Sequence, residues 1–214
     1  MELKKEIAKG LLSIEAVFLR PEEPFTWASG IKSPIYCDNR LTLTAPDVRT
    51  MVEHGLMQVV QENYPDCEVL MGTSTAGIAH AAIVGHLMDL PMGYVRSSAK
   101  DHGRTNQIEG KLLPGQKVVV IEDLISTAGS AIACVKVLRE AGAEVLGIAS
   151  IFTYGMKKGL TRLAENDVKN VSLCNLDALV EVAAETGYIK AEDKERILKF
   201  RDNPSDEGWM RGDK

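Results

Sequence analysis

Four consecutive β-branched apolar residues, Val118 to Ile121, run straight into two adjacent acids, Glu122 and Asp123. The small, hydroxylated stretch Ser126-Thr127-Ala128-Gly129-Ser130 comes next, and then the helical pattern AIACVKVLREAG. An unbroken β-branched run suits a strand buried on both faces, the environment of a central strand in a parallel sheet. A strand tied to a helix by so short a turn constrains the chain to βαβ units.

The same alternation recurs along the chain. Strands are expected at 68–72, 92–96, 117–121, 144–151 and 168–174, with helices at 77–89 and 130–141. The fold class is therefore α/β, a central, mostly parallel sheet flanked by helices. Before it, Leu3, Ile7, Leu11 and Ile14 predict a helix over 1–20, stopped by Pro21 and Pro24. Residues 25–38, FTWASGIKSPIYCD, read as two short extended pieces around Ser29-Gly30. Thr44 is a candidate N-cap with Pro46 in the first turn. Val48, Val52, Leu56, Val59 and Val60 form the stripe of that helix, which ends at Tyr64-Pro65. The expected organisation is a core over 45–175, a small N-terminal hood over 1–44, and a helical appendage with a tail over 176–214. Trp209 is positioned to pin that tail to the surface. No internal repeat is evident.

The 214 residues suffice for one core, and 25 basic against 30 acidic residues give a net charge of −5. That balance argues against a large nucleic-acid footprint, which needs a basic face. No apolar run reaches the ~18–20 residues of a membrane span, and the first residues mix acids and bases unlike a signal peptide. Cys37, Cys67, Cys134 and Cys174 show no CxxC spacing, so they are read as free thiols of a reducing cytosol. The four histidines supply no zinc cluster.

Two segments carry chemistry. The turn 126–130 gathers backbone N–H groups and hydroxyls at a helix N-terminus, an anion cradle suited to a phosphate monoester. It is neither a Walker A loop nor a dinucleotide fingerprint. Glu122 and Asp123 would repel that phosphate, so they face something else: ribose hydroxyls, a Mg²⁺ ion or a developing positive charge. The second segment, 97–110 (SSAKDHGRTNQIEG), is almost devoid of apolar residues. A polar loop that long inside a compact domain is functional or disordered.

VVVIEDLISTAGSA resembles the phosphoribosyl-pyrophosphate motif of the type I phosphoribosyltransferases: apolar residues, two acids, a variable pair, then a Thr/Ser-rich turn with Gly. FTWASGIKSPIYCD and RSSAKDHGRTNQIEG narrow the resemblance to the orotate branch of that family, as found in Gram-positive bacteria, over essentially the whole chain. The resemblance implies the type I phosphoribosyltransferase fold, a soluble cytoplasmic homodimer, and transfer of a 5-phosphoribosyl group from phosphoribosyl pyrophosphate to orotate with Mg²⁺. It implies binding of phosphoribosyl pyrophosphate by Arg96, Lys100, His102, Glu122, Asp123, Leu124, Ile125, Ser126, Thr127, Ala128, Gly129 and Ser130. Lys100, His102 and Asp123 would serve catalysis, and Ser126 would also contact orotate. The polar loop would close over the site and reach the neighbouring subunit's site.

The chain also departs from some members, which carry lysines at the positions of Ala28, Ala76 and Ser97 and an arginine near Tyr154. In their absence orotate would rest on backbone amides, Ser126 and residues 29–32. A purine phosphoribosyltransferase is disfavoured by FTWASGIKSPIYCD. A transcription regulator of the same fold is disfavoured by the acidic charge and the intact loop.

Overall fold

The structure is a computed structural model and describes residues 2–27, 30–97 and 107–211. Helix α1 (Glu2–Ser13) opens the chain and is shorter than the apolar spacing predicts. Glu15 takes a left-handed conformation (φ 57°). Its N–H donates to Leu12 O and that of Ala16 to Leu11 O, a Schellman cap that ends the helix. The residues released form β1 (Val17–Leu19), which pairs antiparallel with β4 (Ile35–Cys37). Between them β2 (Phe25–Thr26) and β3 (Lys32–Ser33) pair as a short hairpin.

A 3₁₀ helix (Asn39–Thr44) then leads into α2 (Pro46–Asn63). Thr44 does not cap α2. Its hydroxyl donates back to Leu41 O, and Ala45 is the N-cap residue, with Pro46 in the first turn. The core follows as β5 (Val69–Thr73), α3 (Ala76–Met88), β6 (Met92–Val95), β7 (Ile108–Glu109), β8 (Lys117–Ile125), α4 (Gly129–Glu140), β9 (Glu144–Thr153), α5 (Lys157–Glu165) and β10 (Asn170–Asn175). Helices α6 (Leu176–Glu185) and α7 (Asp193–Asp202) and a closing 3₁₀ turn (Glu207–Met210) complete the chain.

The main sheet has strand order β10-β9-β8-β5-β6-β7. Every pairing is parallel except that of the edge strand β7 with β6. Alternation along β8 sends Val119 and Ile121 into the core shared with α1, α2, α3, α6 and α7. Val118 and Val120 enter the core under α4 and α5. All four are fully buried, and each such side chain contributes about 1.5–3 kcal/mol. Two apolar faces on one strand explain why its sequence shows no polar alternation.

The chain's two ends meet. α1 packs on α6. Trp27 of the hood stacks edge-on against Phe200 of α7 (5.6 Å between ring centres), and Phe200 against Trp209 (5.7 Å). Arg196 donates to Pro21 O at 3.2 Å and to Trp209 O at 3.2 Å, and pairs with Asp193 and Glu22. Trp209 is buried, so the last turn is held down. Among the described residues no helix is long and apolar enough to cross a membrane, and the four cysteines are free thiols.

Candidate active site

β5 and β8 are neighbours, yet the helices that follow them lie on opposite faces: α3 in one core, α4 in the other. Parallel sheets open a crevice at such a switch point, beyond the carboxyl ends of the strands, and ligands bind there. Two turns flank it. One is Ser126–Ala128 after β8. The other is Ser74-Thr75 after β5, joined by a cis peptide. Read on into their helices, both spell Ser-Thr-Ala-Gly, at 74–77 and 126–129. Four small residues lie below the length at which repeats are usually sought, and only the strand order makes the two copies neighbours.

The close approach of the first turn to the sheet needs glycine. A Cβ on Gly77 would stand 2.3 Å from Ile121 O, so α3 begins hard against β8. At the other turn Ala128 is left-handed (φ 57°, ψ 18°) and caps α4 without a side-chain bond. The free N–H groups of that first turn open toward the crevice.

Glu122 and Asp123 do not follow the strand, as the sequence suggests, but lie within it: β8 continues to Ile125. The two carboxyls stay adjacent there, and the Asp123 side chain hydrogen-bonds that of Glu122. Glu122 is buried, 4% exposed. Its Oε1 accepts from Thr73 Oγ1 (2.7 Å) and from the backbone N–H of Asp123 (3.0 Å), and its Oε2 from Ser130 Oγ (3.3 Å). Burial, and then the neighbouring Asp123 carboxyl, push Glu122 up to about 8. Asp123 is half-buried on the hood side, and its carbonyl accepts from Asn39 Nδ2 at 2.7 Å. Burial raises the pKa values of Cys37 and Tyr154, and the Asp123 charge raises both further. Asn39, Cys37 and Tyr154, just past the end of β9, thus gather around Asp123.

Arg96 follows β6, where its N–H donates to Gln107 O at 2.8 Å. Its Nη1 lies 3.8 Å from Glu109 Oε1 and is buried with no hydrogen-bond partner among the described residues. Arg96 and Ser130 line one cavity of about 160 Å³ with Thr73 and Ser74. Leu124 and Ile125 complete β8, with Ile125 buried and Ile125 O accepting from Tyr154 N–H at 3.0 Å. A larger cavity of about 580 Å³ lies beyond Thr127, between Trp27, Ile31 and α5. Lys100 and His102 fall outside the described residues. Sequence reasoning missed Thr73, Asn39 and Arg162, since a lone Thr, Asn or Arg carries no pattern until the fold brings it to the site.

Among the described residues no three His, Cys, Asp or Glu side chains cluster as a metal site. One half-buried carboxyl group beside a buried one suits an ion that keeps most of its water and arrives on a phosphate ligand.

Comparison with known proteins agrees with this geometry. Residues 44–186 match the family model described as phosphoribosyl transferase domain. The chain is 59% identical over 208 residues to orotate phosphoribosyltransferases of Bacillus cereus and Bacillus anthracis, covering 97% of this chain and 99% of each of theirs. An orotate phosphoribosyltransferase structure from Aeropyrum pernix superposes with a TM-score of 0.74 at 30% identity, covering 86% of this chain and 99% of that one. Leishmania donovani UMP synthase gives a TM-score of 0.78 at 25% identity over 92% of this chain, which spans 42% of that longer protein. With the crevice, the paired turns and near-full-length identity in agreement, the chain belongs to the phosphoribosyltransferase family, among the orotate phosphoribosyltransferases.

Proposed function

We propose that this protein transfers the 5-phosphoribosyl group of phosphoribosyl pyrophosphate to orotate, giving orotidine 5′-monophosphate and pyrophosphate in pyrimidine synthesis. The observation that carries the reading is the pair of Ser-Thr-Ala-Gly turns flanking one crevice, with the acids between them. The substrate has the same layout: a phosphate at one end, a pyrophosphate at the other, and ribose hydroxyls in the middle. Residues 126–130 take the 5′-phosphate at the start of α4. Arg96, Lys100 and His102 take the pyrophosphate, and the Nη1 of Arg96, which makes no hydrogen bond among the described residues, suits that role. Glu122 and Asp123 face the ribose, and Leu124 and Ile125 carry the strand into the turn.

In the reaction the bond from C1 to the pyrophosphate oxygen breaks and a bond from C1 to the orotate ring nitrogen forms. The sugar passes through an oxocarbenium-like state, which a carboxylate at Asp123 stabilises. Lys100 and His102 neutralise the charge growing on the departing pyrophosphate. A Mg²⁺ ion brought in by the pyrophosphate would supply further neutralisation there, with the Asp123 carboxylate as the side chain that would face it through water. No covalent nucleophile is required, because orotate is itself an anionic nucleophile once its ring nitrogen is deprotonated. Ser126 and the hood, residues 1–44, hold orotate in line. Tyr154, with Trp27 6.2 Å from its ring, forms the aromatic floor of that space and supports this placement.

The working unit is a cytoplasmic homodimer in which Lys100 and His102 of one chain serve the site of the other. No nucleic acid or membrane takes part. The experiment is the loss of orotate absorbance on adding phosphoribosyl pyrophosphate and Mg²⁺, with the product identified by mass. Orotate left unchanged by active, folded protein would reject the assignment.

A further inference from the structure

Helix α5 carries no part of the phosphate motif, yet it lies directly behind the turn. A Cβ on Gly159 would stand 2.4 Å from Ser126 O, so the helix backbone touches the turn. Arg162, one turn further along α5, donates from Nη1 to Thr127 O at 2.8 Å. A Cβ on Gly129 would approach that same Nη1 to 3.0 Å. The far end of α5 is tied as well: Arg139 of α4 donates to Asn166 O (2.7 Å) and Asp167 O (3.0 Å). α5 is thus held to the turn through Gly159 and Arg162 and to α4 just past its last residue, and Arg162 is the side-chain tie at the turn.

We propose that Arg162 is a positioning residue for phosphate binding, acting through the Thr127–Ala128 peptide. In a trans peptide the C=O and N–H point in opposite directions. With the carbonyl of Thr127 held by a guanidinium behind the turn, the N–H of Ala128 is aimed into the crevice. Ala128 itself supplies little to hold that plane, because it is a left-handed alanine with no side-chain cap, a conformation that costs a non-glycine residue energy. The guanidinium is permanently charged. It therefore also polarises the peptide and places a positive charge behind the cradle. The ligand class is a phosphate monoester on a sugar. The inference rests on reading 126–130 as the 5′-phosphate cradle.

The test uses full-length protein, with ribose 5-phosphate and inorganic pyrophosphate as separate probes in calorimetric titrations. Arg162→Met keeps the apolar stem and removes the charged donor. It should weaken ribose 5-phosphate roughly tenfold and leave pyrophosphate unchanged. Arg162→Lys keeps the charge, retains part of the affinity, and covers the case in which the methionine variant fails to fold. Added ethylguanidinium should restore binding to Arg162→Met, a recovery that a residue needed only for stability would not give. Equal weakening of both probes, or wild-type affinity for ribose 5-phosphate in both variants, would overturn the proposal. Wild-type protein that binds pyrophosphate but not ribose 5-phosphate would instead overturn the cradle reading on which it rests.

Discussion

Asn39, fully buried, reaches across from the 3₁₀ helix to donate its Nδ2 proton to the backbone carbonyl of Asp123 at 2.7 Å. Its own Oδ1 accepts from Cys37 Sγ at 3.3 Å, and its carbonyl from Thr42 Oγ1 at 2.6 Å. The Asn39 amide therefore joins the 3₁₀ helix after β4 to the strand that carries the acids. Asn39→Ala strands a buried carbonyl at the site, at a cost of about 1–3 kcal/mol. Urea unfolding should show that loss, and turnover should fall with it because Asp123 is no longer anchored. Unchanged stability would mean the tie is dispensable.

Glu122 makes stability depend on pH. Its folded pKa is raised from 4.5 to about 8, so between those values the folded chain holds a proton that the unfolded chain has lost. The stability this contributes is complete below the unfolded value and is lost as pH rises through 8. Glu122→Gln stays neutral and lacks the dependence. Urea unfolding from about pH 5 to about pH 8.5 should show wild type falling relative to the variant. Parallel curves would refute this.

Thr73→Val keeps the shape at the end of β5 but removes the hydroxyl that donates to Glu122 Oε1. That hydrogen bond favours the carboxylate form, so the variant's Glu122 should titrate at a still higher pH. Carboxyl-carbon NMR of Glu122 through the titration measures it directly. A midpoint moved downward would be incompatible with this picture.

Lys100→Ala and Asp123→Asn test the shared site. Each should be nearly inactive alone. Mixed and allowed to exchange subunits, they should recover roughly a quarter of wild-type activity, because hybrid dimers gather both defects in one site and leave the other whole. Verified exchange without recovery would place Lys100 in its own chain's site.

The sheet was legible where one signal dominated. The run Val118 to Ile121 marked β8, and Gly and Pro boundaries marked α2 to α4. What escaped depended on tertiary partners. The apolar spacing at Ile14 continued the α1 pattern, but β1 gains more by pairing with β4 than the helix gains from another turn. The strand identity of Glu122 and Asp123 was hidden because charged residues read as loop, and the Thr73 and Ser130 hydroxyls with the Asp123 N–H make the buried position tolerable. The cradle turn was visible through its composition, whereas its support, Arg162, sits 35 residues away and has no local signature.

The aromatic contacts from Trp27 through Phe200 to Trp209 also bear on synthesis. A nascent chain whose exposed part stops short of Trp209 has already made the acids and the phosphate turn, but not the ring that closes this stack. Until Trp209 has emerged from the ribosome, the N-terminal segment lacks the last ring of this stack. The sheet and the turn after β8 can therefore assemble before the stack closes.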